Sequence, residues 1–173
     1  NMHKEYPFIA LLIAGLVSFT PFSIMAYEGV DIEIRSINAQ IIESLEEDIL
    51  SLKGKVVIKT DVMEIWSDEA TYDRNNQLIN LKGNIKALSR NLQVNAETMK
   101  ADFFNRTFHL ENSTFGFKEK AFGSAEKITI KADDDIELLN VSISSCSKEA
   151  LSWSLNGEKV NLVDEGKNVI IRN

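Results

Sequence analysis

A single cysteine, Cys146, excludes an internal disulfide framework and a cysteine-based zinc site. Two histidines, His3 and His109, leave too few imidazoles for a catalytic triad or a histidine-based metal centre, and no cofactor is expected. Proline and glycine are scarce, at two and eight, which argues against a low-complexity or disordered chain. The longest apolar run, 8–17, falls short of the roughly 20 residues that span a bilayer as a helix. Basic side chains are outnumbered, 19 against 26 acidic, so the net charge of −7 excludes the basic stripe a nucleic-acid binder needs. What remains is 173 residues, 44% hydrophobic and 26% charged, the proportions of one ordinary globular domain.

The first 26 residues have the layout of an export signal. Lys4 precedes the apolar run, Pro21 ends it, and Ala26 offers a small residue for cleavage. An uncleaved anchor is the alternative. Residues 27–173 then form the exported domain, and export places Cys146 where an odd cysteine finds a partner elsewhere or stays free.

The exported part repeats. Ser67, Ala96, Ala125 and Gly157, spaced by 29, 29 and 32 residues, each open a pattern of small, acidic, variable, apolar. The acid is Asp68, Glu97, Glu126 and Glu158. Fourteen residues after each small residue stands Leu81, Leu110, Leu139 or Ile171, and a polar turn separates the two. A weaker copy begins at Asn38.

Inside a unit the period is two. Ile79, Leu81, Ile85 and Ala87 alternate with Asn80, Lys82 and Lys86, the mark of a strand with one buried face. The phase then slips: Met99 lies three residues past Ala96, as Ile128 does past Ala125 and Val160 past Gly157. Only a bulge or a corner absorbs such a slip without turning later side chains to the wrong face. The spacing predicts an all-β fold, an antiparallel open sandwich of serial, bent strands with a repeat of about 29 residues; a β-solenoid is the structural alternative. The stretch 41–52 is compatible with a helix, but the repeat register favours strands.

Candidate chemistry is thin. Asp133-Asp134-Asp135 lacks the spaced ligands of a calcium loop and reads as a solvated turn. The recurring acids read as the outward half of a pleat, and His109 as an outward strand residue. The chain is therefore not expected to be an enzyme.

The apolar face is the better candidate. Six of the nine phenylalanines, among them Phe103, Phe108 and Phe115, fall within 103–122. For most such positions, and for Trp66, ordinary core is the expectation. The functional expectation is that two sheets stay partly unsealed and leave a groove for acyl chains. Its lining would be Ile79, Leu81 and Ile85; Leu92, Val94 and Met99; Phe108 and Leu110; Ile128 and Ile130; Leu139; and Trp153, Val160 and Leu162.

Three segments carry a family resemblance. They are Gly54-Lys55-Val56 with Asp68-Glu69-Ala70-Thr71-Tyr72-Asp73, then Gly123-Ser124-Ala125, and finally Cys146 followed by Trp153-Ser154-Leu155. Over roughly 49–173 the chain resembles the amino-terminal periplasmic, OstA-like domain of the lipopolysaccharide-assembly outer-membrane proteins, the LptD family. The resemblance implies a β-jellyroll that shields lipid A chains, accepts lipopolysaccharide and passes it to the outer membrane of a Gram-negative cell. It implies edge-to-edge pairing with a periplasmic bridge jellyroll, a plug lipoprotein if a carboxy-terminal barrel follows, and a disulfide from Cys146 to that barrel. Ser147 departs from the proline usual after this cysteine, and no second cysteine lies in 27–36. On this reading the chain is truncated before the barrel. The other readings are a soluble bridge of the same pathway, LptA-like, or a secreted β scaffold or adhesin that binds no lipid.

Overall fold

The structure, a computed structural model, describes residues 32–118, 121–133, 135–145, 154–163 and 168–172, and of 163, 168, 169, 171 and 172 the backbone alone. Eleven strands follow one another: β1 (Ile34–Asn38), β2 (Ile41–Glu46), β3 (Ile49–Thr60), β4 (Met63–Asp73), β5 (Leu78–Ser89), β6 (Leu92–Asp102), β7 (Thr107–Phe117), β8 (Ala121–Lys131), β9 (Ile136–Ser144), β10 (Ser154–Val163) and β11 (Asn168–Arg172). From β3 onward each pairs antiparallel with the next in a single open sheet. β1 and β2 both pair with β3, on successive stretches of it, and Gln40 donates its N–H to the Gly54 carbonyl (2.9 Å) between them. The stretch 41–52 is therefore β2, a two-residue turn and the start of β3, with no helix, and the serial antiparallel order excludes the solenoid.

The phase slip is the corner of the bend. On β3, β5, β7 and β9 the corner falls at Lys55, Asn84, Asn112 and Asn140, all in the left-handed region at φ 46–48°; β7 and β9 slip there, whereas β3 and β5 keep the inward alternation through Leu52, Gly54 and Val56 or Leu81, Gly83 and Ile85. Asparagine tolerates that region better than most residues because its short side chain bonds locally. At the first two corners a glycine at φ 74° or 80° precedes, Gly54 or Gly83, and the pairing register shifts there as a bulge. Each corner asparagine donates to the recurring acid of the preceding strand: Asn84 to Asp68 (2.7 Å), Asn112 to Glu97 (2.8 Å), Asn140 to Glu126 (2.5 Å). These acids do face outward, as the alternation predicts, and three of them also latch the bend.

The small residues sit inside the corner. Ser67, Ala96, Ala125 and Gly157 face Val56, Ile85, Ser113 and Val141 on the preceding strand. A large side chain in both places would hold the two wings apart. Gly123, in the second wing, answers a different need. A Cβ there would meet the Ser142 carbonyl oxygen at 2.1 Å and Phe115 Cζ at 2.8 Å, so its absence seats the Phe115 ring.

The turns stack at the end where β4 meets β5. Arg74, Phe103 and Ala132 each donate a backbone N–H to the preceding turn, at Asp48, Gln77 and Arg106. Asp73 and Asp102 each accept from an asparagine three residues on, Asn76 or Asn105. Between β8 and β9 the turn is tighter, because Lys131 bonds directly to Asp135. That removes one residue from the repeat and corrects one expectation: Ile128 pairs with Leu138, which is fully buried, while Leu139 faces Lys127 and is half-buried. Trp66 differs as well. It faces outward beneath the Lys86 ammonium (5.6 Å to the ring centre) and not into the core.

Candidate functional site

The inner face of the bent sheet is the candidate site. Alternation and register together set its side chains in rows that cross the strands. One row runs from Leu52 through Ala70, Leu81, Met99, Leu110, Ile128 and Leu138 to Val160, each residue the cross-strand partner of the next. In the second wing another runs from Ile58 through Ile65, Ala87, Val94, Phe115, Gly123 and Ile143 to Leu155. At about 4.8 Å per strand, each row is a continuous apolar track of roughly 34 Å.

Of the residues expected in the groove, Ile79, Leu81, Ile85, Leu92, Val94 and Met99 are buried on this face. So are Phe108, Leu110, Ile128, Ile130, Val160 and Leu162. Leu139 is replaced by Leu138, and Trp153 and Cys146 lie outside the described residues. Leu52, Val56, Ile58 and Ile65 join the face although the weak amino-terminal copy of the repeat gave them little weight. Val141 and Ile143 also belong; their alternation with Ser142 was legible.

The expected gap between the wings is closed here. The inner side chains form one cluster. Phe108 meets Phe103 edge-on at 6.2 Å between ring centres, and Phe115 meets Phe117 at 5.5 Å. A cavity of about 30 Å³ remains beside Leu92, Phe117, Ile130 and Ile136, room for a water or two and not for an acyl chain. The physical reason is elementary: exposed apolar area costs about 25 cal/mol per Å², so in water the wings collapse on each other. Ser113 has a buried hydroxyl with no partner among the described residues, unlike the buried Thr60 and Ser67, which donate to backbone carbonyls.

The ends of the sheet are the second feature. Among the described residues β2 pairs only with β3, and β11 only with β10. β2 is exposed along its whole length and carries Ile41, Ile42 and Leu45 at 51–60% exposure. An unpaired apolar edge of this kind is a template for strand addition.

Little else is arranged for chemistry. Among the described residues no group of acids and histidines could hold a metal, and no helix is long and apolar enough to cross a membrane. His109 lies between Thr107 (3.2 Å) and Thr129 (3.1 Å). Partial burial, with Lys127 and Lys100 nearby, holds its pKa below the usual 6.5, and Asp102 offsets part of this.

No family model matches the chain. It is 26% identical over 138 residues to an LPS-assembly protein LptD of Pseudoalteromonas translucida, covering 79% of this chain and 18% of that one. An LPS-assembly protein LptD of Shewanella oneidensis is also 26% identical, over 113 residues, covering 65% and 15%. The chain thus spans under a fifth of the length of the curated relatives it matches. Among solved structures it is similar to LptH of Pseudomonas aeruginosa, the LptA-homologous periplasmic component of a lipopolysaccharide transport device. The TM-score is 0.53 at 11% identity, over 72% of this chain and 93% of that one, which establishes a shared jellyroll fold.

Proposed function

We propose that this chain, a relative of the LPS-assembly proteins named LptD and folded like LptH, is a periplasmic domain that accepts lipopolysaccharide and passes it toward the outer membrane. The observation that carries the reading is the pair of apolar rows crossing the sheet from β3 to β10. Acyl chains lying along them replace the contact between the wings, so opening exposes no apolar surface to water. Each buried methylene contributes about 0.8 kcal/mol, and ten give on the order of 8 kcal/mol before ordering costs. With a net charge of −7 the chain gains nothing overall from anionic head groups, so the acyl chains supply the affinity. The work is transport, and no step makes or breaks a covalent bond in the cargo.

The edges extend the track. A bridge jellyroll adding its edge strand to β2 would continue the inner rows into its own. Cys146 is assigned a disulfide to a carboxy-terminal barrel, beside which a plug lipoprotein would sit, and residues 1–26 the export signal. A free bridge protein is the second reading, favoured by the 93% of LptH that the fold match covers. Non-reducing electrophoresis of a full-length form separates them: a reducible linkage at Cys146 supports the barrel tie, and a thiol that stays open to alkylation removes it.

The reading itself is tested in cells with a photo-crosslinker at Ile85, Leu92 or Met99, which captures lipopolysaccharide, whereas one at Lys86 does not. Equal labelling of both faces, or of neither, discards the inner-face account.

A further inference from the structure

The outer surface of the sheet is not uniform. In the first wing, the outward row through Lys82, Glu111, Lys127 and Lys159 is laced with charge. Past the corner the row carries Lys86 on β5 and is neutral from β6 to β10. Asn95, Thr114, Ser124, Ser142 and Asn156 are successive cross-strand partners from β6 to β10, all amide or hydroxyl side chains. At the β5–β6 end of this wing opens a cleft of about 460 Å³. That is within the ~300–1,000 Å³ range of small-molecule sites.

The cleft is lined by amides, hydroxyls and cations together with the apolar Leu88, Leu92 and Phe115. Asn91, Gln93 and Asn95 supply amides, Ser89 and Thr114 hydroxyls, and Arg90 and Lys118 positive charge. Among the described residues none of its lining is acidic, in a chain of net charge −7. Asn91 Oδ1 is buried and accepts no hydrogen bond among the described residues. Phe122, 49% exposed and outside the lining, is the cross-strand partner of the lining residue Gly116 and offers an apolar surface beside it.

We infer that this cleft binds a saccharide bearing an acidic group, phosphate or carboxylate, on the face of the sheet opposite the acyl track. Side chains two apart on a strand stand about 7 Å apart and those on neighbouring strands about 5 Å, a grid of donors and acceptors suited to the hydroxyls of a sugar ring. Phe122 suits the C–H face of the same ring, and Lys118 its acidic substituent. A peptide has no such purchase, because β6 and β7 already pair on both sides and offer no free edge. For the identity of the saccharide, the sugar portion of the cargo, the inference rests on the proposed function.

The test titrates the isotope-labelled full chain with oligosaccharide freed from the acyl chains of lipopolysaccharide by mild acid, and with maltohexaose and inorganic phosphate in parallel. Saturable amide shifts confined to 89–95 and 114–118 are expected with the acidic oligosaccharide alone, with affinity at least tenfold weaker in the surface variants Lys118→Ala and Gln93→Ala. No shift, shifts centred on the inner rows, unaltered affinity in both variants, or equal binding of maltohexaose or of phosphate overturns it. Lipid capture at Met99 is read in the same variants. Capture lost with the sugar shifts intact counts against the proposed function and leaves the cleft, and the reverse result removes the cleft alone.

Discussion

At the scale of single residues, the corners decide how the ribbon bends. Asn112 combines a left-handed backbone (φ 48°) with a hydrogen bond to Glu97. Asn112→Ala should lose about 1–2 kcal/mol in urea unfolding, since alanine strains there, while Asn112→Gly recovers most of it. Equal losses in the two variants would mean that the hydrogen bond and not the backbone carries the effect. Gly123→Ala drives a methyl group against the Ser142 carbonyl and the Phe115 ring, and should cost about 1–3 kcal/mol. An unchanged melting temperature would contradict the close approach. The recurrence of the small residue and the acid was legible from spacing alone. Their partnership with the corner asparagines was not, because it depends on which strands lie side by side.

His109 gives a prediction in pH. Its folded pKa is depressed by burial first and then by Lys127 and Lys100, so the unfolded chain binds the proton more readily. Stability is therefore retained above the usual value of 6.5 and falls as pH drops from there through the folded pKa. His109→Gln should flatten this part of the stability profile relative to wild type, measured by chemical denaturation between pH 7.5 and about 5. Identical slopes would refute the assignment. Asp102 acts at lower pH. Burial raises its pKa, but the hydrogen bonds from Asn105 and the charges of Lys100 and His109 outweigh that, so its contribution is lost only on stronger acidification.

Among the elements, the long strands follow from period-two alternation, and the bend from the slip at Met99, Ile128 and Val160. Two features resisted. The tighter β8–β9 turn exchanges Leu139 for Leu138, a one-residue change that the repeat spacing conceals because both positions are leucine. Trp66 lies on the outward phase of β4, where Lys86 covers it, although its size suggested core. The edge strand β2 carries a further prediction. Ile42→Pro should weaken co-elution with a bridge jellyroll at least tenfold, or about 1.4 kcal/mol, and leave the circular dichroism of the sheet intact. Undiminished co-elution would shift the pairing away from β2.

For the molecule as a whole, alternation predicted a face but not its state. The inner residues were identified nearly completely, because each is reached by counting twos from a corner. Whether the wings part or meet depends on what occupies the space between them, which no residue spacing encodes. The inner face folds onto itself around Phe108, Phe115 and the aliphatic rows. Among the described residues the sheet is unclosed at both ends, and in the proposed function cargo enters and leaves along the rows without crossing a strand.

The most direct test is methyl NMR of the chain in its lipopolysaccharide complex, with isoleucine, leucine and threonine methyls labelled. The account predicts cross-relaxation from acyl-chain protons to Ile79, Leu110, Ile128 and Leu138, and none to the outward Thr114 and Thr129. Acyl contacts confined to the outward threonines, or inner methyls that stay in contact only with each other while lipid is bound, would contradict it.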